Sequence, residues 1–429
     1  LPIASCQLPV PKRNHQELTS TNQYRNSGLP IPDHTTTNWL STADFFVAFL
    51  AKLPTMPATI HRRQWLKQTS LAAMGLGYGL TSMANEEGIT RNFGSEKDLI
   101  NLGSNENPYG ISPKAKQAIV DMISQANRYQ WNVPTLQQYR KQLAEKFGLT
   151  EDNILITAGS GEGLGLLARY FNKGNIVTAN PTFGILPSNA KRLGTAVNEI
   201  PLTNEKVHNL PAMLSAITNE TSLVYLVNPA NPTGTIVTPE AMKNFCVEAS
   251  KKAVVLIDEA YIDFIDPPNN QSMLPLIASN EKIIIMRTFS KIHAMAGLRI
   301  GFIAAHPSLI QKLEDANFST TGYCVSNLSM AAAMASLNDD QHRKSCKQKN
   351  DAARSYTINE LTKLGYRCIP SSTNFLVCNL KDYPGDFAQD MAKKNVLLRY
   401  NQYPDGKWCR VSIGTIEEMQ QFAKLMQQV

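Results

Sequence analysis

From about Glu86 onward, short apolar runs alternate with stretches in which apolar residues recur every three or four positions. Residues 154–157, 176–178, 223–227, 254–257, 283–286 and 300–304 are compact apolar runs, each predicted to be a buried strand. Between them, Leu136, Tyr139, Leu143 and Phe147 fall on one face of a helix predicted over 135–147, and a second helix is predicted over 162–171. Strands separated by helices imply an α/β fold with a large, mostly parallel sheet covered on both faces, here assigned to 111–310. After about 311 a long helical region runs to 364. Strand-like segments follow at 374–378, 396–399 and 409–413, then a terminal helix from Ile416. This reads as a smaller α+β domain over 311–429, against which residues 85–110 are expected to pack. There is no internal repeat and no low-complexity linker.

With 429 residues, 43% hydrophobic and 18% charged, the chain has the composition of an ordinary soluble enzyme. Its net charge is +7, and part of that excess lies upstream of Asn85. No basic stripe interleaved with aromatics appears, which argues against nucleic-acid binding. The seven cysteines form neither a Cys-x-x-Cys pair nor a cluster with histidine, so no metal site is expected. They read as free thiols serving as small buried hydrophobes.

Residues 61–84 open with His61-Arg-Arg-Gln-Trp-Leu-Lys67, continue through a mildly apolar, glycine-rich run and end at Ser82-Met-Ala84. Paired arginines, an apolar run and a small-x-small cleavage site resemble a twin-arginine export signal over 56–84, implying a periplasmic or exported protein; without a functional leader it would be cytoplasmic. The apolar part is well short of the ~20 residues that span a membrane. Met56 would make a sensible start, and residues 1–55 are expected to be a disordered or mis-assigned upstream extension.

The chemistry gathers where three apolar runs end. The run 283–286 leads into Ser290-Lys291, with Arg299 following; 254–257 ends on Asp258, with Tyr261 beyond; 223–227 leads into Asn231-Pro-Thr-Gly234. In a parallel sheet these positions converge at the carboxyl edge, where ligands bind. A lysine flanked by hydroxyl and guanidinium groups can attach a phosphorylated aldehyde, so pyridoxal phosphate is the cofactor these residues suggest. Asp258 suits the pyridine nitrogen, and Asn231 and Tyr261 the phenolic oxygen. The glycine turn 158–163 joins a strand to a helix and makes an anion cradle, with Ser160, Gly161, Ser290 and Arg299 as the phosphate set. Phe183 can stack on the ring. Lys291, Asp258 and Tyr261 are the expected catalytic residues.

Together with Ser104-Asn-Glu-Asn-Pro-Tyr-Gly110, Pro181-Thr-Phe183, Gly297-Leu-Arg299, Thr373-Asn-Phe375 and Arg410-Val-Ser-Ile-Gly414, these motifs resemble fold-type I pyridoxal-phosphate enzymes. The resemblance is to class II aminotransferases of the histidinol-phosphate aminotransferase type and runs from about Asn101 to the C-terminus. It implies amino transfer from histidinol phosphate or a related, including aromatic, donor to a 2-oxo acid such as 2-oxoglutarate. It also implies a homodimer in which Tyr129 reaches the neighbouring subunit's cofactor phosphate. Arg410 and Arg399 match arginines that bind the substrate's acidic group, and Tyr109 and Asn374 complete the implied substrate set. Gly161, Phe183 and the pair Gln130-Trp131 stand where the family usually has aspartate, tyrosine and Pro-Asp. These departures remove no catalytic group and bear on the substrate. A decarboxylase of the threonine-phosphate type shares the scaffold and is the alternative. A cofactor-binding regulator would carry an N-terminal DNA-binding module, and an apolar leader stands there instead.

Overall fold

Eight strands build or approach the larger part of the fold: β1 (Ile100–Asn101), β2 (Ile154–Thr157), β3 (Asn175–Asn180), β4 (Ala196–Pro201), β5 (Thr221–Val227), β6 (Val254–Asp258), β7 (Ile283–Thr288) and β8 (Gly301–Ala305). Seven of them form one sheet in the order β2-β8-β7-β6-β5-β3-β4. All neighbours from β4 to β7 are parallel, while β8 runs antiparallel to both β7 and β2. The computed structural model describes residues 99–129, 135–318, 324–403 and 405–428, all within one of the two compact units into which the chain divides. The leader and the upstream extension expected over 1–84 lie outside the described residues, as do Gln130 and Trp131.

Successive strand residues point to opposite faces, and here both faces are buried. Ile156, Val177, Val224, Leu226, Val255, Ile257, Ile283 and Ile285 enter one core, while Leu155, Ile176, Leu223, Tyr225, Leu256, Ile284 and Met286 enter the other. Burial of each large side chain contributes roughly 1.5–3 kcal/mol, which is why these runs show no polar alternation. Helices close each face. Pro239–Ser250 starts at Thr238, whose hydroxyl accepts the Ala241 N–H, with proline in the first turn supplying a preset φ. Strand β4 has no counterpart among the predicted elements because it is an edge strand whose residues are exposed or half-buried, so it lacks an apolar run.

A second sheet has the order β12-β13-β10-β9, built from β9 (Cys368–Ile369), β10 (Phe375–Asn379), β12 (Arg399–Tyr403) and β13 (Gly406–Ser412), and is antiparallel throughout. Helix Ile416–Met426, opened by a reciprocal Thr415/Glu418 cap, packs its apolar face into the core of this sheet. The short β11 (Val396–Leu397) pairs in parallel with β1, and Ile100 and Leu102 are buried in the same core. The C-terminal core begins later than the position 311 expected from the sequence. Helices Pro307–Phe318 and Asn327–Leu337 send Leu313, Met330, Ala333 and Leu337 into the cores of the large sheet. Helical periodicity alone does not reveal which sheet a helix covers.

Beneath the end of β6 lies a buried ion pair. Arg287 Nη2 meets Glu259 Oε2 at 2.7 Å, with side-chain exposures of 6% and 1%. Ser272 Oγ donates to the same oxygen at 2.9 Å, and Met273 N–H to Oε1 at 2.7 Å. The pair is satisfied on both sides, so removing one partner strands a buried charge. Arg287→Ala is expected to lower unfolding free energy by about 3–5 kcal/mol in a urea titration; a loss below about 1 kcal/mol would show that the Glu259 carboxylate finds water.

Candidate active site

Parallel strands all present their carboxyl ends at one edge of a sheet, and side chains just beyond that edge are the ones a ligand reaches. At that edge opens a cavity of about 220 Å³ lined by Ser104, Asn105, Ser160, Phe183, Val227, Asn231, Asp258, Ala260, Tyr261, Lys291, Arg399 and Arg410. A cleft of about 480 Å³ shares Phe183, Asn231, Arg399 and Arg410 with it, and adds Ser188, Arg192 and Tyr403.

Asp258 closes β6 and is 1% exposed. Its carboxylate accepts the Ala260 N–H at 3.1 Å and, at 3.5 Å, the hydroxyl of Tyr225. Burial pushes this carboxyl up to about 7, against the opposing pull of Ala260, Tyr225 and the charge of Lys291. No salt-bridge cation satisfies it among the described residues. A buried carboxylate in that state favours a ligand that brings a cationic N–H to it.

Lys291 Nζ donates to the backbone oxygen of Asn105 at 3.1 Å and sits 5.6 Å from the centre of the Tyr261 ring. Asn105 is buried with φ 52°, a left-handed conformation that asparagine tolerates better than most residues. Ser412 Oγ accepts its backbone N–H at 2.7 Å, and its Nδ2 donates to Tyr261 Oη at 2.9 Å. Tyr261 Oη accepts a second bond from Asn231 Nδ2 at 3.2 Å, and Asn231 Oδ1 accepts from Arg410 Nη1 at 2.9 Å. With two donors already aimed at it, the Tyr261 oxygen keeps its own hydrogen for a ligand. Arg410 Nη2 reaches the Gly103 carbonyl at 2.8 Å, while its buried Nε has no partner. Burial lowers the pKa of this guanidinium, and an anion beside it would restore the balance.

The far end of the site is an anion cradle. Helix Ser160–Tyr170 begins after Gly159, which has φ 77°. Its first N–H groups have no helical partners. The positive φ favours glycine there, and a Cβ at Gly159 would come within 2.6 Å of the Arg299 guanidinium and push it aside. Arg299 is itself left-handed, with φ 53°. A Cβ at Gly161 would lie 3.9 Å from the same guanidinium. Ser290 is buried, its hydroxyl accepting a bond from Thr288 Oγ1 at 2.9 Å.

Of the residues singled out by sequence, Lys291, Asp258, Tyr261, Ser160, Phe183, Asn231, Arg399 and Arg410 line the inner cavity together. Gly161 and Arg299 stand at the cradle, and neither they nor the buried Ser290 line that cavity. Tyr129 is 63% exposed and stands away from it. Tyr109 and Asn374, expected at the substrate, do not line it either. Tyr109 packs beside a buried cluster that includes Ile292 and Cys346. Asn374 Nδ2 holds the backbone oxygens of Asn105 and Glu106 at 3.0 and 3.1 Å, a positioning role. Two further residues belong to the site. Asn105 supports both Lys291 and Tyr261, and it was visible only inside the motif 104–110. Tyr225 contacts Asp258 but lies within an apolar run that reads as core.

The family described as aminotransferase class I and II matches residues 97–425. This chain belongs to that family. The aminotransferase is 33% identical over 339 residues to the histidinol-phosphate aminotransferase of Moorella thermoacetica, covering 78% of this chain and 86% of the relative. It is 31% identical to the histidinol-phosphate aminotransferase of Bacillus subtilis strain 168 over 350 residues, covering 80% and 94%. Among solved structures, the histidinol-phosphate aminotransferase of Sinorhizobium meliloti in complex with pyridoxal-5'-phosphate superposes with a TM-score of 0.70 at 24% identity, covering 80% of this chain and 93% of that one, and so shares the fold. The chain is a pyridoxal-phosphate-dependent aminotransferase of fold-type I. Among the described residues no cluster of His, Cys, Asp or Glu could hold a metal, and no helix is long and apolar enough to cross a membrane.

The raised Asp258 carboxyl makes a prediction for the cofactor-free aminotransferase. A carboxyl shifted upward by folding favours the folded state below its unfolded value of ~3.9, and that contribution is lost as pH rises through about 7. Asp258→Asn is neutral throughout and lacks this slope. Between pH 5 and pH 8 the urea midpoint of the apoprotein should therefore fall relative to that of the variant; parallel profiles would contradict the assignment.

Proposed function

We propose that this aminotransferase takes the amino group of histidinol phosphate, or of a related or aromatic donor, and passes it to a 2-oxo acid such as 2-oxoglutarate. The observation that carries this reading is one cavity holding Lys291 and Asp258 that opens past Arg410 and Arg399 into a cleft with a further arginine, Arg192. Guanidinium groups bind carboxylate and phosphate by the same paired hydrogen bonds. Such a cleft suits a donor with an acidic group at a distance from its amine and also a dicarboxylic acceptor. Relatives carrying the name histidinol-phosphate aminotransferase, at 30–33% identity, support the choice of donor.

Pyridoxal phosphate, when bound, withdraws the electron pair left on the amino-bearing carbon once its proton is removed. Asp258 would hold the proton on the ring nitrogen, Tyr261 and Asn231 would donate to the phenolic oxygen, and Phe183 would offer the ring an aromatic neighbour. Ser160, Gly161, Ser290 and Arg299 would hold the phosphate. Lys291 would serve as the base that takes up the substrate's proton and gives it back, while Arg410 and Arg399 would orient the substrate's acidic group. The exposed Tyr129 is suited to reach a second copy's phosphate, so the working form is a homodimer. The leader over 56–84 directs the chain to twin-arginine export; replacing both Arg62 and Arg63 with lysine should leave the protein in the cytoplasm.

Purified enzyme with 2-oxoglutarate should form glutamate from histidinol phosphate faster than from aliphatic amino acids. An aliphatic donor leading the series would overturn the donor assignment, and carbon dioxide release without a keto product would make the chain a decarboxylase. Lys291→Ala should abolish turnover while leaving the fold intact, and persistent transamination would refute its role. Arg410→Ala should raise KM for the acidic substrate roughly 10- to 100-fold, the loss of a charge-assisted bond of about 1.5–3 kcal/mol. Unchanged kinetics would mean the anion binds elsewhere.

A further inference from the structure

Three cysteines that the transamination site does not use stand abreast in the C-terminal sheet. Cys378 on β10 is in register with Cys368 on β9 and with Cys409 on β13. Residues directly opposite on antiparallel strands share a face, and all three side chains turn toward the core containing Leu376 and Val411. Cys378 and Cys409 are both 0% exposed, while Cys368 at the edge is partly exposed.

The backbone bonds define the two pairings. Asn379 N–H donates to the Arg367 oxygen at 2.8 Å, so the next pair, Cys378 and Cys368, occupies a non-hydrogen-bonded position, where side chains come closest. Leu380 N–H donates to the Lys407 oxygen at 2.8 Å, which puts Cys378 and Cys409 in a hydrogen-bonded position. The usual Cα separations of these positions, ~4.5 and ~5.5 Å, both fall in the range that disulfides span. Cys368 and Cys409 are two strands apart, about 9–10 Å, and do not reach each other.

We propose that Cys378 is a disulfide-forming site that bridges to Cys368 or to Cys409 when the chain folds in an oxidising medium. In the folded, reduced protein, burial pushes the Cys368 thiol up to about 12, and a hydrogen bond with Cys409 together with burial raises the Cys378 thiol well above its ordinary value, so the reactive thiolate is scarce there. The bridge therefore forms while the strands assemble and solvent still reaches the sulfurs. A cysteine thiolate attacks a low-molecular-weight disulfide such as oxidised glutathione. One half leaves as a thiol and the other caps the cysteine. The second cysteine, giving up its proton to solvent, displaces the cap as another thiol. Two cysteine thiols become one disulfide, and the oxidant is reduced to two thiols. Once closed, the bridge ties β10 to its neighbour in the sheet whose β13 carries Arg410.

The test is to synthesise the full chain with cofactor in oxidising and in reducing glutathione buffers. Each sample is unfolded in the presence of an alkylating agent and its disulfides mapped by peptide mass. The proposal expects a linked peptide pair containing Cys378 with Cys368 or Cys409 in the oxidised sample, and none in the reduced one. Full alkylation of Cys378 in the oxidised sample would overturn it, as would bridges confined to other cysteines such as the exposed Cys324. Cys378→Ala provides the second reading. The variant should keep its transaminase activity and show no bridge between Cys368 and Cys409; finding that bridge would mean the sheet register does not govern the pairing.

Discussion

A carboxylate buried at the end of a central parallel strand governs this site. Asp258 sits where burial opposes its charge, and the protein supplies one backbone N–H and one distant hydroxyl against that cost. Such a group stays ionised readily only when a cation approaches it. The strand order puts β5 on one side of β6 and β7 on the other, so Asn231 and Lys291 flank the carboxylate. Parallel topology thus brings residues far apart in sequence to one edge, with no need for a loop to fold back over the sheet.

The second constraint is the link between this edge and the C-terminal sheet. Arg410 on β13 bonds to Asn231 beyond β5, and Ser412 on the same strand holds the backbone of Asn105, which in turn holds Lys291. One antiparallel strand therefore delivers the Arg410 guanidinium to the cavity and fixes the loop that positions the lysine. Asn374 adds two bonds to that loop from β10's leading edge. Displacing the C-terminal sheet would disturb the placement of Arg410 in the cavity and the resting place of Lys291 together, because both depend on bonds made by β13.

The central strands and the residues at their ends could be read from the chain because burial on both faces leaves long apolar runs, and three of those runs lead into polar residues suited to one chemistry. Lys291, Asp258 and Asn231 were visible on that basis. The edge strand β4 was not, because its exposed residues carry no apolar pattern. Tyr225 was hidden for the opposite reason: it lies inside an apolar run, and only the register of β5 against β6 sets its hydroxyl near Asp258. Asn105 and Asn374 act through backbone atoms of distant segments, a relation that spacing along the chain does not carry. The start of the C-terminal core was read too early because a helix announces its apolar face and not its partner.

The most direct test of the account is to locate the cofactor's point of attachment. The purified enzyme, loaded with pyridoxal phosphate, would be treated with borohydride, digested and mapped by mass spectrometry. The account predicts a single pyridoxyl-phosphate label, on Lys291. A label on another lysine, or a protein that binds the cofactor and retains none after reduction, would contradict the claim that these strand ends converge to hold it.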